Sequence, residues 1–324
     1  LKVLTTGPRC FSQRDIGEIE MKVIEIDGLK KSFDGKIALD GVSMTVNQGD
    51  IYGFLGPNGS GKTTTLRIVL GILPADEGKI SVLGKDLSSW GNELGYKVNA
   101  LPESHGFYGW MDAADYLRFF GKLYGIQLTV GDCRSRLSQV GLDPKNLLPI
   151  STFSRGMKQR LGIARSMINA PEILLLDEPT NGLDPRGRRN IHDLLLHLNT
   201  ENGITMIIST HILDDVERLC NRIAILNRGK IRYEGALADS SSRDCIRYHF
   251  RVEDAQSISS DWNIPGISVV ESREDRLVCQ IDGLSPAHAI KSLIEAGMPI
   301  AEAEQITGGL EEIYFAYTRG ATDE

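Results

Sequence analysis

Residues 56–63 read GPNGSGKT, the pattern G-x-x-x-x-G-K-[ST], set between a short apolar run and a helical pattern. Glycines at 59 and 61 let such a loop curl until successive backbone N–H groups face inward as a nest for an anion, with Gly56 opening the motif. A helix starting near Lys62 adds about half a positive charge at its N-terminus. There the Lys62 ammonium reaches the β- and γ-phosphates of a nucleoside triphosphate, and the Thr63 hydroxyl ligates Mg2+. Pro57, Asn58, Ser60 and Thr64 belong to the same cradle. A glycine turn that merely joins strand to helix is the plainer reading, and the strand–loop–helix context argues against it.

Asp177 and Glu178 close a second apolar run, ILLL. In an open α/β sheet, ligands collect at the carboxyl ends of the strands. Asp177 is placed to hold Mg2+ through its water shell, and Glu178 to polarise an attacking water as general base. Alone, two carboxylates after a strand are an ordinary solvated loop. Beside a phosphate loop they read as the hydrolytic half of one site.

These residues need a scaffold, and the pattern supplies one. Residues 22–33 and 38–56 alternate apolar and polar positions between turn signals, as antiparallel strands do. The phosphate loop then leads into a helix over 62–72. Residues 112–125 carry Leu117, Phe120 and Leu123 at helical spacing, with Asp112 as N-cap. Met157, Leu161, Ala164 and Ile168 share a helical face, as do Ile191, Leu194, Leu195 and Leu198. EILLLDEP and TMIISTH are buried-strand patterns, so strands and helices alternate as in an α/β core with a largely parallel sheet. Residues 222–235 form a hairpin turning at 227–229. A polar break at 238–244 precedes strand, strand, a helix over 285–297, strand and a last helix around GLEEIYFAY, a small α+β unit.

Composition excludes several classes. The 324 residues suit about two domains, and 41% apolar content suffices for a core. A net charge of −7 argues against nucleic acid as a bulk partner. The five cysteines (10, 133, 220, 245, 279) show no C-x-x-C pair and read as free thiols. No apolar run approaches the ~20 residues that span a bilayer. Residues 1–20, before Met21, read as an upstream extension.

The order GPNGSGKT, FSRGMKQRLGIA, ILLLDEPTNGLDP and STH resembles the nucleotide-binding subunit of an ATP-binding cassette (ABC) transporter over about residues 21–235. The resemblance implies a P-loop fold of ABC type. Its parts are a parallel-core sheet, an antiparallel β subdomain and a helical subdomain at 21–238, then a C-terminal accessory α+β domain at 239–324. It implies ATP and Mg2+, and two ATP molecules sandwiched between head-to-tail subunits, a homodimer or a pair with a sister subunit. FSRGMKQR stands where the family's signature more often reads Leu-Ser-Gly-Gly-Gln, a variant common in the exporter branch. By this matching Ser154 and the Gly156 amide bind the γ-phosphate on the facing subunit, and Asp184 crosses the interface. Phe33 stacks on adenine (core packing is the alternative), and His211 contacts the γ-phosphate and orients water. Glu103 stands where the family usually has a glutamine that contacts Mg2+.

Phe107, Tyr108 and Trp110 lie where family members receive a helix of the membrane subunit; packing inside the helical lobe is equally open. The implied partners are integral membrane (permease) subunits, with this chain peripheral on the cytoplasmic face of the membrane. An ABC-type ATPase of translation or DNA repair is the competing class. Translation types carry two cassettes per chain, repair types insert a long coiled coil between phosphate loop and signature, and this chain has neither.

Overall fold

The computed structural model describes residues 21–104, 106–237, 246–252, 264–273, 276–281, 286–295, 300–306 and 310–318. The expected extension at 1–20, the break at 238–244, Cys10 and Cys245 lie outside them. In chain order the elements are β1 (Lys22–Phe33), β2 (Lys36–Asn47), β3 (Ile51–Leu55), α1 (Lys62–Val69), β4 (Glu77–Val82) and β5 (Lys85–Asp86). Then come α2 (Leu94–Lys97), β6 (Val98–Leu101), α3 (Ala113–Leu123), α4 (Val130–Gln139), α5 (Arg155–Ser166) and β7 (Ile173–Asp177). After these follow α6 (Pro185–Asn202), β8 (Thr205–Thr210), α7 (Leu213–Leu219), β9 (Arg222–Asn227) and β10 (Lys230–Ala236). The C-terminal part holds β11 (Ile246–Val252), β12 (Ile267–Arg273), β13 (Arg276–Ile281), α8 (Pro286–Glu295), β14 (Ile300–Ile306) and α9 (Leu310–Thr318).

Among the described residues the strands form three sheets. The central one has the order β10-β9-β3-β8-β7-β6, and only its β9–β10 pair is antiparallel. Every residue of β3, β7 and β8 is buried, as the continuous apolar runs require of strands covered on both faces. The pleat divides them. Leu55, Leu174, Leu176 and Ile208 join the core under α3–α6, while Tyr52, Phe54, Leu175 and Ile207 join the core shared with α1 and the second sheet. That second sheet, β2-β1-β4-β5, is antiparallel.

Several expectations need correcting in detail. The antiparallel block ends at Asn47, because Ile51–Leu55 enters the central sheet between β9 and β8. Helix α1 stops at Val69, and Gly71 with φ 69° ends it in a left-handed turn. Asp112 does cap α3, its carboxylate accepting from Asp115 N at 2.8 Å, but Leu123 is exposed. The buried face is Ala113, Tyr116, Leu117 and Gly121. Three strands, not two, precede α8, since β12 and β13 are separate strands paired antiparallel.

The last helix leaves the small sheet β12-β13-β11-β14 and packs on the first unit. Leu310 is buried in its larger core, and Ile313 and Tyr314 pack against it. Asn227 Nδ2 donates to Tyr317 O at 2.9 Å, and the rings of Tyr233 and Tyr317 lie 5.9 Å apart.

Candidate functional site

The cleft at the carboxyl edge of the central sheet encloses about 360 Å³. The phosphate loop follows β3, the carboxylates end β7 and the histidine follows β8, so three neighbouring parallel strands deliver residues far apart in sequence. Asn58, Gly59, Gly61, Lys62, Thr63, Thr64, Glu103, Asp177, Glu178 and His211 line the cleft as expected, joined by Ala38 and Asn181.

Backbone shape dictates the loop sequence at two positions. Gly59 has φ 80° and Gly61 φ 113°. A β-carbon on Gly61 would also fall 2.5 Å from Leu39 Cδ2 and 2.9 Å from Ala38 O. The N-terminus of α1 is left without a side-chain cap, since Gly61 has nothing to offer, and its first turn holds no acid. Its N–H groups and dipole remain available to an anion. Lys62 is buried and donates to Gly56 O at 2.6 Å and Pro57 O at 3.2 Å. Burial pushes its ammonium below the usual lysine range, against the opposing pull of Glu178, Asp177 and Glu103. Ser60 is buried in the loop. Its hydroxyl is buried without a partner and turns back toward Gly56.

Asp177 accepts from Thr63 Oγ1 at 2.9 Å and from Ser209 Oγ at 2.8 Å. Thr63 and Asp177 thus present two hard oxygen donors side by side, next to a cradle for phosphate. Such a pair fits Mg2+, which keeps waters and takes its remaining ligands from substrate phosphates. Among the described residues no three His, Cys, Asp or Glu side chains form an all-protein metal cage. Glu103, in the same lining, accepts from Asn181 Nδ2 at 3.4 Å.

Glu178 is buried and stands 2.9 Å, through Oε1, from His211 Nδ1. Its backbone is left-handed, φ 50°, and its N–H donates to Ser209 O at 2.9 Å. A non-glycine residue holds that conformation only where its surroundings enforce it. The carboxylate fixes the imidazole with Nδ1 as donor and leaves Nε2 for other work. Tyr314 of α9 senses the same group: burial and then the Glu178 charge push its hydroxyl up.

The remaining expected residues lie outside the cleft lining. Phe33 is 44% exposed at the tip of the β1–β2 hairpin, with Lys31 Nζ 5.5 Å from its ring centre, so it is not a core residue. Ser154 caps α5, accepting from Met157 N at 3.2 Å. Asp184 caps α6 in the same manner, from Gly187 N at 3.1 Å. Arg155, one of three departures in the signature with Phe153 and Met157, lies against Gly182: a β-carbon there would be 2.3 Å from its Nη1. At Gly156 the nearest atom to an added β-carbon is Leu183 Cδ2 at 4.0 Å, so nothing among the described residues demands glycine. Ser209 and Asn181 lie inside the motifs STH and ILLLDEPTNGLDP, which by themselves assign them no role. Their roles depend on which strands are neighbours.

The family model described as ABC transporter matches residues 39–181. An uncharacterized ABC transporter ATP-binding protein of Bacillus subtilis, YhcH, is 31% identical over 93% of this chain and 97% of its own. This chain belongs to the ABC transporter ATP-binding family. The bacitracin transport ATP-binding protein BcrA of Bacillus licheniformis is 37% identical to this ABC subunit over 72% of the chain and 76% of its own. A dimeric ATP-binding cassette, MJ0796, solved in a post-hydrolysis state with ADP and Pi, superposes with a TM-score of 0.60 at 25% identity. It covers 66% of this chain and 98% of its own. The ABC fold and ATPase class expected from the motifs therefore stand. No helix among the described residues is long and apolar enough to cross a membrane.

Proposed function

We propose that this ABC ATPase powers an exporter from the cytoplasmic face of the cell membrane, through separate integral membrane subunits, with residues 21–238 as the catalytic domain and 239–324 as the accessory one. A relative named for Nod factor export, 33% identical over 82% of this chain, supports the export reading. Two copies, or this chain and a sister subunit, close head to tail over two MgATP. Lys62 and the open end of α1 bind the phosphates, and Thr63, Asp177 and Glu103 hold the ion, which neutralises phosphate charge. Phe33 stacks on the adenine. Glu178 takes the proton of the attacking water, and His211, held by that carboxylate, steadies the γ-phosphate.

One observation carries the dimer. Ser154 and Gly156 lie outside their own chain's cleft lining, and nothing among the described residues requires residue 156 to be glycine. A second chain's γ-phosphate meets the end of α5 there, and Asp184 crosses beside it. The Glu178→Gln variant should bind MgATP and accumulate closed dimers by scattering or crosslinking. Saturated variant that stays monomeric ends the proposal.

The aromatic run divides between its two readings. Phe107 packs 5.3 Å from Tyr116, and Tyr108 lies edge-on to Phe119 at 5.4 Å. Trp110 is 75% exposed. Ser151 N donates to Gly109 O and Ile150 N to Met111 O, so exposed Leu147 and Leu148 precede a segment paired with Trp110's own. That surface suits a helix of the permease subunit. Trp110→Ala should keep the isolated ATPase active and lose co-purification with the membrane subunit.

A further inference from the structure

Away from the cleft, one carboxylate ties together the three segments that carry Glu178, His211 and Asp184. Asp215, in the first turn of α7, is fully buried. Its Oδ2 accepts from the Thr180 hydroxyl, and its Oδ1 faces His192 Nε2 at 2.8 Å. Arg188 Nε stands 3.8 Å from that same oxygen. Thr180 and His192 are buried as deeply, and His192 Nδ1 has no partner, so the ring spends its one hydrogen bond on Asp215.

The partners belong to two different working parts. Thr180 sits two residues beyond Glu178, inside a tight turn where Asn181 N donates to Glu178 O at 3.2 Å and Leu183 N to Thr180 O at 3.1 Å. That turn begins with the left-handed backbone of Glu178. Arg188 and His192 lie on α6, whose N-cap is Asp184. Asp215 follows His211 by four residues. A buried, multiply bonded carboxylate adds little net stability over an apolar replacement, and its use is to fix one arrangement among several.

We propose that Asp215 is a positioning residue for hydrolysis: through Thr180 it holds the strained turn at Glu178, and through His192 and Arg188 it makes that turn move with the Asp184 end of α6. Nothing in the cluster touches substrate. Its effect is to keep the 2.9 Å Glu178–His211 pair aligned while the interface helix shifts. The inference rests on Glu178 as the base.

Asp215→Ala would strand His192 and Arg188 and endanger folding, so the deciding variants are Thr180→Val and Thr180→Ser, assayed in the full chain. Thr180→Val should lower kcat by roughly ten- to a hundredfold, the order that misplacing a catalytic group costs. Its KM for MgATP should stay unchanged, and Thr180→Ser should recover the parent rate. Undiminished turnover in Thr180→Val overturns the proposal. So does a loss carried by KM, or one that serine does not repair. If Thr180 works through Glu178, combining Thr180→Val with Glu178→Gln slows single-turnover hydrolysis no further than Glu178→Gln alone, and a multiplied loss counts against it. Normal turnover in Glu178→Gln by itself removes the base assignment and the positioning role together. A slow Glu178→Gln beside an undiminished Thr180→Val removes only the latter.

Discussion

Two helix N-termini in this molecule are built on opposite plans. At α1 the N-cap is a glycine in a left-handed conformation, no side chain satisfies the first N–H groups, and they face the cleft. At α5 Ser154 caps its own helix through Met157 N, and the end lies outside the cleft lining. Both ends carry the same dipole and both attract anions. The first is complete within one chain. The second is a capped end already at rest, whose serine has a further lone pair and whose glycine leaves room, and under the proposed dimer its anion arrives with another subunit.

The contrast can be broken by experiment. At the open end, Lys62→Ala should weaken MgATP binding and reduce turnover by roughly 10²–10³, as losing one preorganised cationic donor does. Isothermal titration and steady-state assays would show both effects in the same variant. At the capped end, Ser154→Ala should leave binding by the isolated monomer intact and lower turnover by about tenfold or more, with loss of MgATP-driven pairing. Thermal unfolding should report about 1 kcal/mol for the missing cap. Equal loss of monomer affinity at both ends would erase the distinction.

Gly156→Ala sharpens the same point. Helix propensity favours alanine by about 0.5–1 kcal/mol, and the nearest atom is 4.0 Å from the new β-carbon. The variant should melt slightly higher than the parent yet form fewer dimers with MgATP. A lower melting temperature would mean that glycine serves the single chain after all.

The smallest effect belongs to neither helix. Asp76 accepts from Ser32 N at 2.7 Å and from Lys31 Nζ at 2.7 Å, clamping the end of β1 that presents Phe33. Those bonds hold its carboxyl down at about 2, below its usual 3.8. A depressed carboxylate stabilises the fold above its unfolded pKa and loses that contribution as pH falls through the folded value. The small stability gap between parent and Asp76→Asn should therefore be constant at neutral pH and close between about pH 4 and pH 2. Carboxyl chemical shifts over that range would give the midpoint directly.

Legibility followed locality. The loop at 56–63, the carboxylates after ILLL and the capping Asp112 could be read because each is specified by a few contiguous residues. The helical face of α6 was equally plain, since Ile191, Leu194, Leu195 and Leu198 are all buried. Leu123 failed as a core residue because spacing alone does not say where a helix's neighbours stop. The third strand of the C-terminal part was missed because β12 and β13 follow each other closely in sequence and only their antiparallel pairing separates them.

By itself, then, the sequence determined the chemistry of each piece: a glycine loop that must curl, a lysine beside it, two acids after an apolar strand, a serine that caps. The tertiary structure alone decided which pieces meet. The order β3-β8-β7 brings Thr63 to Asp177, Ser209 to Asp177 and His211 to Glu178 across more than thirty residues in each case. It also assembles Thr180, His192 and Asp215, and it sends Ser154 away from its own cleft. Backbone conformation and capping are settled by neighbours along the chain. Contacts between strands and helices are settled by how apolar faces pair, and no short stretch of residues encodes that pairing.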